Sequence, residues 1–128
     1  MKRDMILFID DILESIVDIE SFTDKVSKEE FIKNKEKQNA VVRSIEIIGE
    51  AVKNLPIDFI GKYPEVPWSD IAGFRDVMVH AYFVIDLEKV WKVIKKDLPD
   101  LKNKILKIKK DLEIKDNKKN KIKKISNK

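Results

Sequence analysis

Met5-Ile6-Leu7-Phe8-Ile9-Asp10-Asp11-Ile12-Leu13-Glu14-Ser15-Ile16-Val17-Asp18-Ile19 decides the fold class of this chain. Met5, Phe8, Ile9, Ile12, Leu13, Ile16, Val17 and Ile19 recur at helical spacing. Asp10, Asp11, Glu14 and Asp18 fall largely on the other side. One apolar face at this period marks an amphipathic helix, here over roughly residues 2–23. Its apolar face demands covering helices, so the rest of the chain is read for partners of the same kind.

Ser27, with Glu30 three residues on, reads as a capping box that opens a second helix over roughly 28–54. The first half of that helix, Lys28 to Gln38, is polar except for Phe31 and Ile32 and is expected to project into solvent. Its second half carries Val41, Val42, Ile45, Ile48, Val52 and Leu55. Gly49 interrupts it at a cost of about 1 kcal/mol against Ala, a cost that a close helix contact would justify. Pro56 ends the helix or starts a short turn, and residues 57–67 form a connector with about one helical turn. Ser69 is placed to cap a third helix over roughly 69–82, and Asp86 a fourth over roughly 86–111. The fourth buries Leu87, Val90, Trp91, Ile94, Leu98, Leu101, Ile105 and Ile108, with Pro99 expected to kink or split it near Asp97. Trp68 and Trp91 fall at a helix start and in a helix core, where packing is their expected role. The expected architecture is all-α, a four- to five-helix up-and-down bundle.

Composition agrees and excludes several alternatives. Only 3 Gly and 4 Pro punctuate 128 residues, which favours long helices over many short strands. With no Cys, disulfides and thiolate metal sites are excluded, and one His makes a zinc site a poor expectation. No apolar run is long enough to span a membrane, and the first residues do not read as a signal peptide, so a cytoplasmic location is expected. The net charge of +4 hides an asymmetry. Residues 102–128 hold 12 Lys and 3 acids, a net of +9, whereas residues 1–101 carry a net of −5. The reading is one helical domain over residues 1–112 and a Lys-rich, fraying tail over 113–128, able at most to attract RNA without specificity.

The chemistry concentrates in Gly73-Phe74-Arg75-Asp76-Val77-Met78-Val79-His80-Ala81-Tyr82, which contains the only histidine. An arginine clamps phosphate as a fixed bidentate cation, and a histidine moves protons near neutral pH. Together they suggest phosphodiester cleavage without a metal. On a regular helix Arg75 and Tyr82 share one stripe and Asp76 and His80 another, while Arg75 and His80 are offset by about 140°. Either Arg75 reaches round on its long side chain, or a two-fold dimer lines one cleft with both copies of the helix. The dimer is the preferred reading. Asp76 is placed to fix the imidazole tautomer, or to bond Arg75 or a partner chain. On the second helix Arg43, Glu46 and Glu50 form a polar stripe, either a local salt-bridged face or the lining of the same cleft. Taken alone, an Arg and a His on one helix are more often an ion pair and a packing residue.

These segments together resemble HEPN-domain toxins of the HepT type, the helical partners in MNT/HEPN toxin–antitoxin pairs. The resemblance covers roughly residues 3–105. It rests on Arg43-Ser44-Ile45-Glu46-Ile47-Ile48-Gly49-Glu50-Ala51, on Tyr63-Pro64-Glu65-Val66-Pro67-Trp68, and on Ile71-Ala72-Gly73-Phe74-Arg75-Asp76 through His80-Ala81-Tyr82. It continues in Ile85-Asp86, Val90-Trp91 and Asp97-Leu98-Pro99. Arg, four residues, His, one residue, Tyr is the family's signature spacing. Where many members carry Asn after the Arg, this chain has Asp76.

The resemblance implies a homodimeric, metal-independent endoribonuclease with no cofactor, the toxin of a type VII-like system, acting on RNA such as tRNA. Arg75 would hold the scissile phosphate, and His80 would move the 2′-hydroxyl or leaving-group proton, with Asp76 in support. Tyr82 matches the tyrosine to which a cognate nucleotidyltransferase antitoxin attaches AMP. Two other functions fit the same residues. One is a HEPN interaction module that holds phosphate without cleaving. The other is a regulatory subunit of the nucleotidyltransferase.

Overall fold

The computed structural model describes the backbone of residues 2–80 and 86–126, and the side-chain surroundings of residues 4–78 and 86–118. Those residues are all-α. The helices are α1 (Lys2–Thr23), α2 (Lys28–Lys33), α3 (Lys35–Asn54), α4 (Ile57–Lys62), α5 (Trp68–His80), α6 (Leu87–Lys92) and α7 (Leu98–Ser126). A π turn over Val93–Asp97 joins α6 to α7 without leaving the helical region of backbone space.

The apolar stripe of α1 is the centre of the bundle. Ile9, Ile12, Ile16 and Ile19 are fully buried, at spacings of three and four residues. Val41, Ile45, Ile48 and Val52 of α3 pack into the same core, as do Leu98, Leu101, Ile105, Ile108 and Leu112 of α7. Leu7 and Val17 instead face solvent, so Val17 is not part of the buried stripe. Ion pairs fix the direction of α7 against α1. Lys102 Nζ lies 2.8 Å from Glu20, and Lys109 Nζ lies 2.9 Å from Asp10, so the two helices run antiparallel. Lys37 near the start of α3 donates to the Phe22 carbonyl near the end of α1 at 3.0 Å, which makes α3 antiparallel to α1 as well.

Three local features differ from the sequence reading. The helix expected over 28–54 is two helices. Asn34 closes α2 and caps α3, accepting from Lys37 N at 3.0 Å, while Gln38 Nε2 donates to the Phe31 and Ile32 carbonyls at the end of α2. The break turns α2 inward: Phe31 is fully buried, with its ring 5.3 Å from that of Trp91, rather than projecting into solvent. Second, α5 starts at Trp68, so Ser69 is inside the helix and does not cap it. The Trp68 indole donates to the Tyr63 carbonyl at 2.9 Å, which anchors the connector to the helix start. Third, Pro99 does not split the last helix. The Leu98 amide reaches back to the Val93 carbonyl, and this wider π turn makes room for a proline ring that would clash in a tight α-helix.

The caps at Ser27 and Asp86 are present. Ser27 Oγ accepts from Glu30 N at 3.1 Å, and Asp86 Oδ1 accepts from Glu88 N at 3.1 Å and Lys89 N at 3.2 Å. The backbone of the Lys-rich stretch after residue 112 is helical to Ser126.

Tyr63 Oη donates to Asp111 at 2.6 Å and ties the connector to α7. Burial, followed by this hydrogen bond to a carboxylate, pushes the phenol up to about 12. A raised folded-state value stabilises the protein fully below the ordinary value of 10 and is lost as pH climbs towards 12.

Two measurements test this packing. Phe31→Ala should lower the unfolding free energy by about 3–5 kcal/mol in a denaturant titration, as for a core aromatic; a solvent-projecting Phe31 would cost almost nothing. Tyr63→Phe should abolish the phenolate absorbance transition near pH 12 and cost about 1 kcal/mol at neutral pH.

Candidate active site

Gly49 sets the distance between α3 and α5. A Cβ built on Gly49 would stand 2.2 Å from Arg75 Cβ and 2.3 Å from Arg75 Cγ, closer than side-chain atoms approach. The stem of Arg75 therefore lies directly on the α3 backbone. This is the close helix contact for which the sequence's mid-helix glycine allows. With its stem pinned, the arginine is only 21% exposed, and its guanidinium emerges at a fixed place.

Two carboxylates meet it there. Nη1 donates to Asp76 Oδ1 at 3.2 Å, and Nη2 lies 3.7 Å from Glu50 Oε1. Nε is enclosed, with no acceptor among the described residues. Lys53, one turn after Glu50, also bonds Asp76 Oδ1. Asp76 thus bridges the two cations. The hydrogen bond from Lys53, then that from Arg75, holds its carboxyl below the usual carboxylate range. It stays a carboxylate at neutral pH and acts as an acceptor, not as an acid.

The four side chains, two cations and two anions, balance to zero charge. Of the roles foreseen for Asp76, the structure shows the bond to Arg75. Of the stripe on the second helix, Glu50 reaches Arg75, whereas Arg43 and Glu46 pair with one another at 3.4 Å. Lys53 escaped the sequence reading, although it extends the Arg43–Glu46–Glu50 spacing by one more turn and stands four residues after Gly49.

Helix α5 is regular through His80, so the backbone positions of Arg75 and His80 keep the offset of about 140° expected from helix geometry. The His80 side chain lies outside the described residues, and Tyr82 lies outside them altogether. Val77, between Arg75 and His80, is an exposed apolar side chain on the same helix. A cleft of about 850 Å³ opens between α5 and the α6–α7 rod; Phe74, Val77 and Met78 line it and Arg75 does not. Among the described residues, no helix is long and apolar enough to cross a membrane.

Residues 12–108 match the family described as ribonuclease HepT-like. Similar curated proteins include one from Thermococcus cleftensis, named as a probable ribonuclease HepT. It is 46% identical over 108 residues, which cover 84% of this chain and 98% of that protein. A Methanocaldococcus jannaschii protein provisionally named an RNase is 50% identical over 99 residues, 77% of this chain and 82% of its own length. A second protein of that organism, whose name joins a gamma-glutamylcyclotransferase to a provisional RNase, is 47% identical over 108 residues. The chain spans about half of that relative, 49% of its length. No solved structure matches the chain.

The Gly49 contact makes a signed prediction. Gly49→Ala gains about 1 kcal/mol in helix propensity, but it must push Arg75 off α3 at an overpacking cost of about 1–3 kcal/mol. The variant should therefore melt below the parent. Gly73, on α5, has no described atom within 4 Å of an added Cβ, so Gly73→Ala should melt above it. Equal shifts of the two melting temperatures would show that α3 and α5 are not in this contact.

Proposed function

Because the chain belongs to the HepT-like ribonuclease family, we propose that it is a metal-independent endoribonuclease whose site combines Arg75 and His80. The observation that carries this is the placement of Arg75. Its stem is pinned on Gly49 and its guanidinium is aimed by Glu50 and Asp76, five residues before His80 on the same helix. A rigidly held guanidinium costs little to organise when a phosphate arrives, which is the condition for stabilising charge that develops in the transition state.

In the proposed reaction, His80 draws the proton from the ribose 2′-hydroxyl. The 2′-oxygen attacks the adjacent phosphorus, and the bond to the 5′-oxygen of the next nucleotide breaks. A second imidazole protonates that leaving oxygen, giving a 2′,3′-cyclic phosphate and a free 5′-hydroxyl. Arg75 binds the non-bridging oxygens throughout. The helical offset between Arg75 and His80 favours a homodimer in which each copy supplies part of one cleft. The exposed Val77 offers an apolar contact for a second α5. The 2′-hydroxyl requirement excludes DNA as a substrate.

The same reading covers regulation. The chain is proposed as the toxin of a toxin–antitoxin pair, acting in the cytoplasm, whose partner is an MNT-type nucleotidyltransferase that attaches AMP to Tyr82. An adenylate anion seven residues from Arg75 in the sequence would compete with RNA phosphate for the guanidinium.

One observation favours a second reading. Arg75 already has two carboxylate partners, and the local charge is balanced. A module that holds phosphate weakly and does not cleave would look the same.

Purified protein, shown by mass to carry no AMP, separates the two. Incubated with cellular RNA in EDTA, it should leave 2′,3′-cyclic phosphate ends. Arg75→Ala should lose about 10²–10³ in rate, as for loss of one transition-state donor, and His80→Ala about 10²–10⁴. RNA binding that survives His80→Ala, with no cleavage by any form, would establish the non-catalytic module. Continued modification and silencing of Tyr82→Phe would remove Tyr82 from the switch.

A further inference from the structure

RNA is a polyanion, and the body of this protein repels it. Residues 1–101 carry a net charge of −5. The site adds no surplus, because Arg75 and Lys53 are matched by Glu50 and Asp76. A substrate strand needs a source of attraction elsewhere on the molecule.

The second half of α7 has the properties of one. Leu112 is the last described buried residue of that helix, and the backbone continues helical to Ser126. Fourteen residues of α-helix extend about 21 Å. From Asn117 to Lys128 the sequence has six lysines and no acid. At about 100° per residue, positions 118, 119, 121, 123 and 124 fall all round the helix rather than along one face. Such a rod suits a flexible phosphate chain better than a flat surface. The matched family segment stops at residue 108, so this extension lies outside that segment.

The topology sets where it leaves the bundle. Helices α3 and α7 both run antiparallel to α1, so both end beside its start. Lys53 is one residue from the end of α3. The Tyr63–Asp111 hydrogen bond ties the root of the extension to the connector that follows. The basic rod therefore springs from the end of the bundle nearest to the Lys53–Asp76–Arg75 cluster.

We infer that the α7 extension is an RNA-backbone-binding arm, which captures single-stranded RNA through its phosphates and delivers it to the Arg75 site. The inference rests on the ribonuclease reading for its choice of polyanion, but its binding step does not require cleavage.

The test uses the full chain and a 2′-O-methyl RNA of about twenty nucleotides, which binds without being cut. Fluorescence anisotropy is recorded across a salt series. Lys118, Lys119, Lys121, Lys123, Lys124 and Lys128 are changed together to Gln, which keeps helix propensity, and in a second protein to Arg, which keeps the charge. Each lysine–phosphate contact on a single strand contributes about 0.7 to the slope of log K against log salt. The Gln protein should lose about 2–4 in slope and at least tenfold in affinity near 0.1 M salt, and the Arg protein should match the parent. Unchanged affinity and slope in the Gln protein would overturn the arm. So would a loss seen only on phosphatidylserine vesicles with RNA binding intact, which would make the extension a membrane-surface helix. If no protein in the series cleaves unmodified RNA in a parallel assay, yet the slope on the 2′-O-methyl strand falls as described, the arm stands and the ribonuclease reading falls.

Discussion

The contact between the α3 backbone at Gly49 and the stem of Arg75 fixes the geometry on which the candidate site depends. An arginine on a free helix surface samples many rotamers, and holding it costs roughly 2 kcal/mol of side-chain entropy. Here that entropy is lost on folding, because the α3 backbone closes off one side of the stem. What remains mobile is the guanidinium, and Glu50 and Asp76 restrain it. One glycine thus couples helix packing to chemistry. The residue least able to contribute side-chain contacts of its own decides where the most polar group of the site points.

The charge balance around Arg75 has a consequence for binding. A phosphate can engage the guanidinium only by displacing a carboxylate or by sharing its donors. The exchange is nearly even in Coulomb terms, since one anion replaces another. It becomes favourable when the incoming anion offers two oxygens in the bidentate geometry that the fork of donors prefers, against one contact at 3.2 Å and a looser one at 3.7 Å. Lys53 helps the exchange. It retains Asp76 when Arg75 lets go, so the released carboxylate is not left facing the phosphate. A site built in this way favours an anion that presents two oxygens to the fork over one that offers a single contact.

Much of the fold was legible from periodicity. The isoleucine stripe of α1 and the caps at Ser27 and Asp86 are local features, and local features survive folding intact. What was hidden depends on contacts distant in sequence. Lys28 to Gln38 reads as one polar helical run because every residue in it tolerates a helix. The break at Asn34 arises because Phe31 has to reach Trp91, sixty residues away. The π turn before Pro99 has the same character, as a proline can be accommodated by a kink, a break or a wider turn, and only the surrounding packing chooses. The candidate site divides along the same line. The residue types at 75, 76 and 80 were visible as a motif, and Gly49 was visible as an anomaly. That the two belong together, and that Lys53 joins them, is tertiary information.

The asymmetry of charge is the last piece that the fold makes intelligible. An acidic body with a basic extension is poorly explained by solubility alone, because spreading the same lysines over the surface would serve that purpose with less self-attraction. Concentrating them on one helix that leaves the bundle beside α3 creates a directional field. Long-range steering falls off over a Debye length of about 8 Å at physiological salt. An extension reaching about 21 Å past the last buried leucine therefore presents its charge well outside the zone that the body's own acids dominate. On the proposed reading, a strand would be held there beyond the body's repulsion and would meet the body where the charges of Arg75 and Lys53 are matched by those of Glu50 and Asp76.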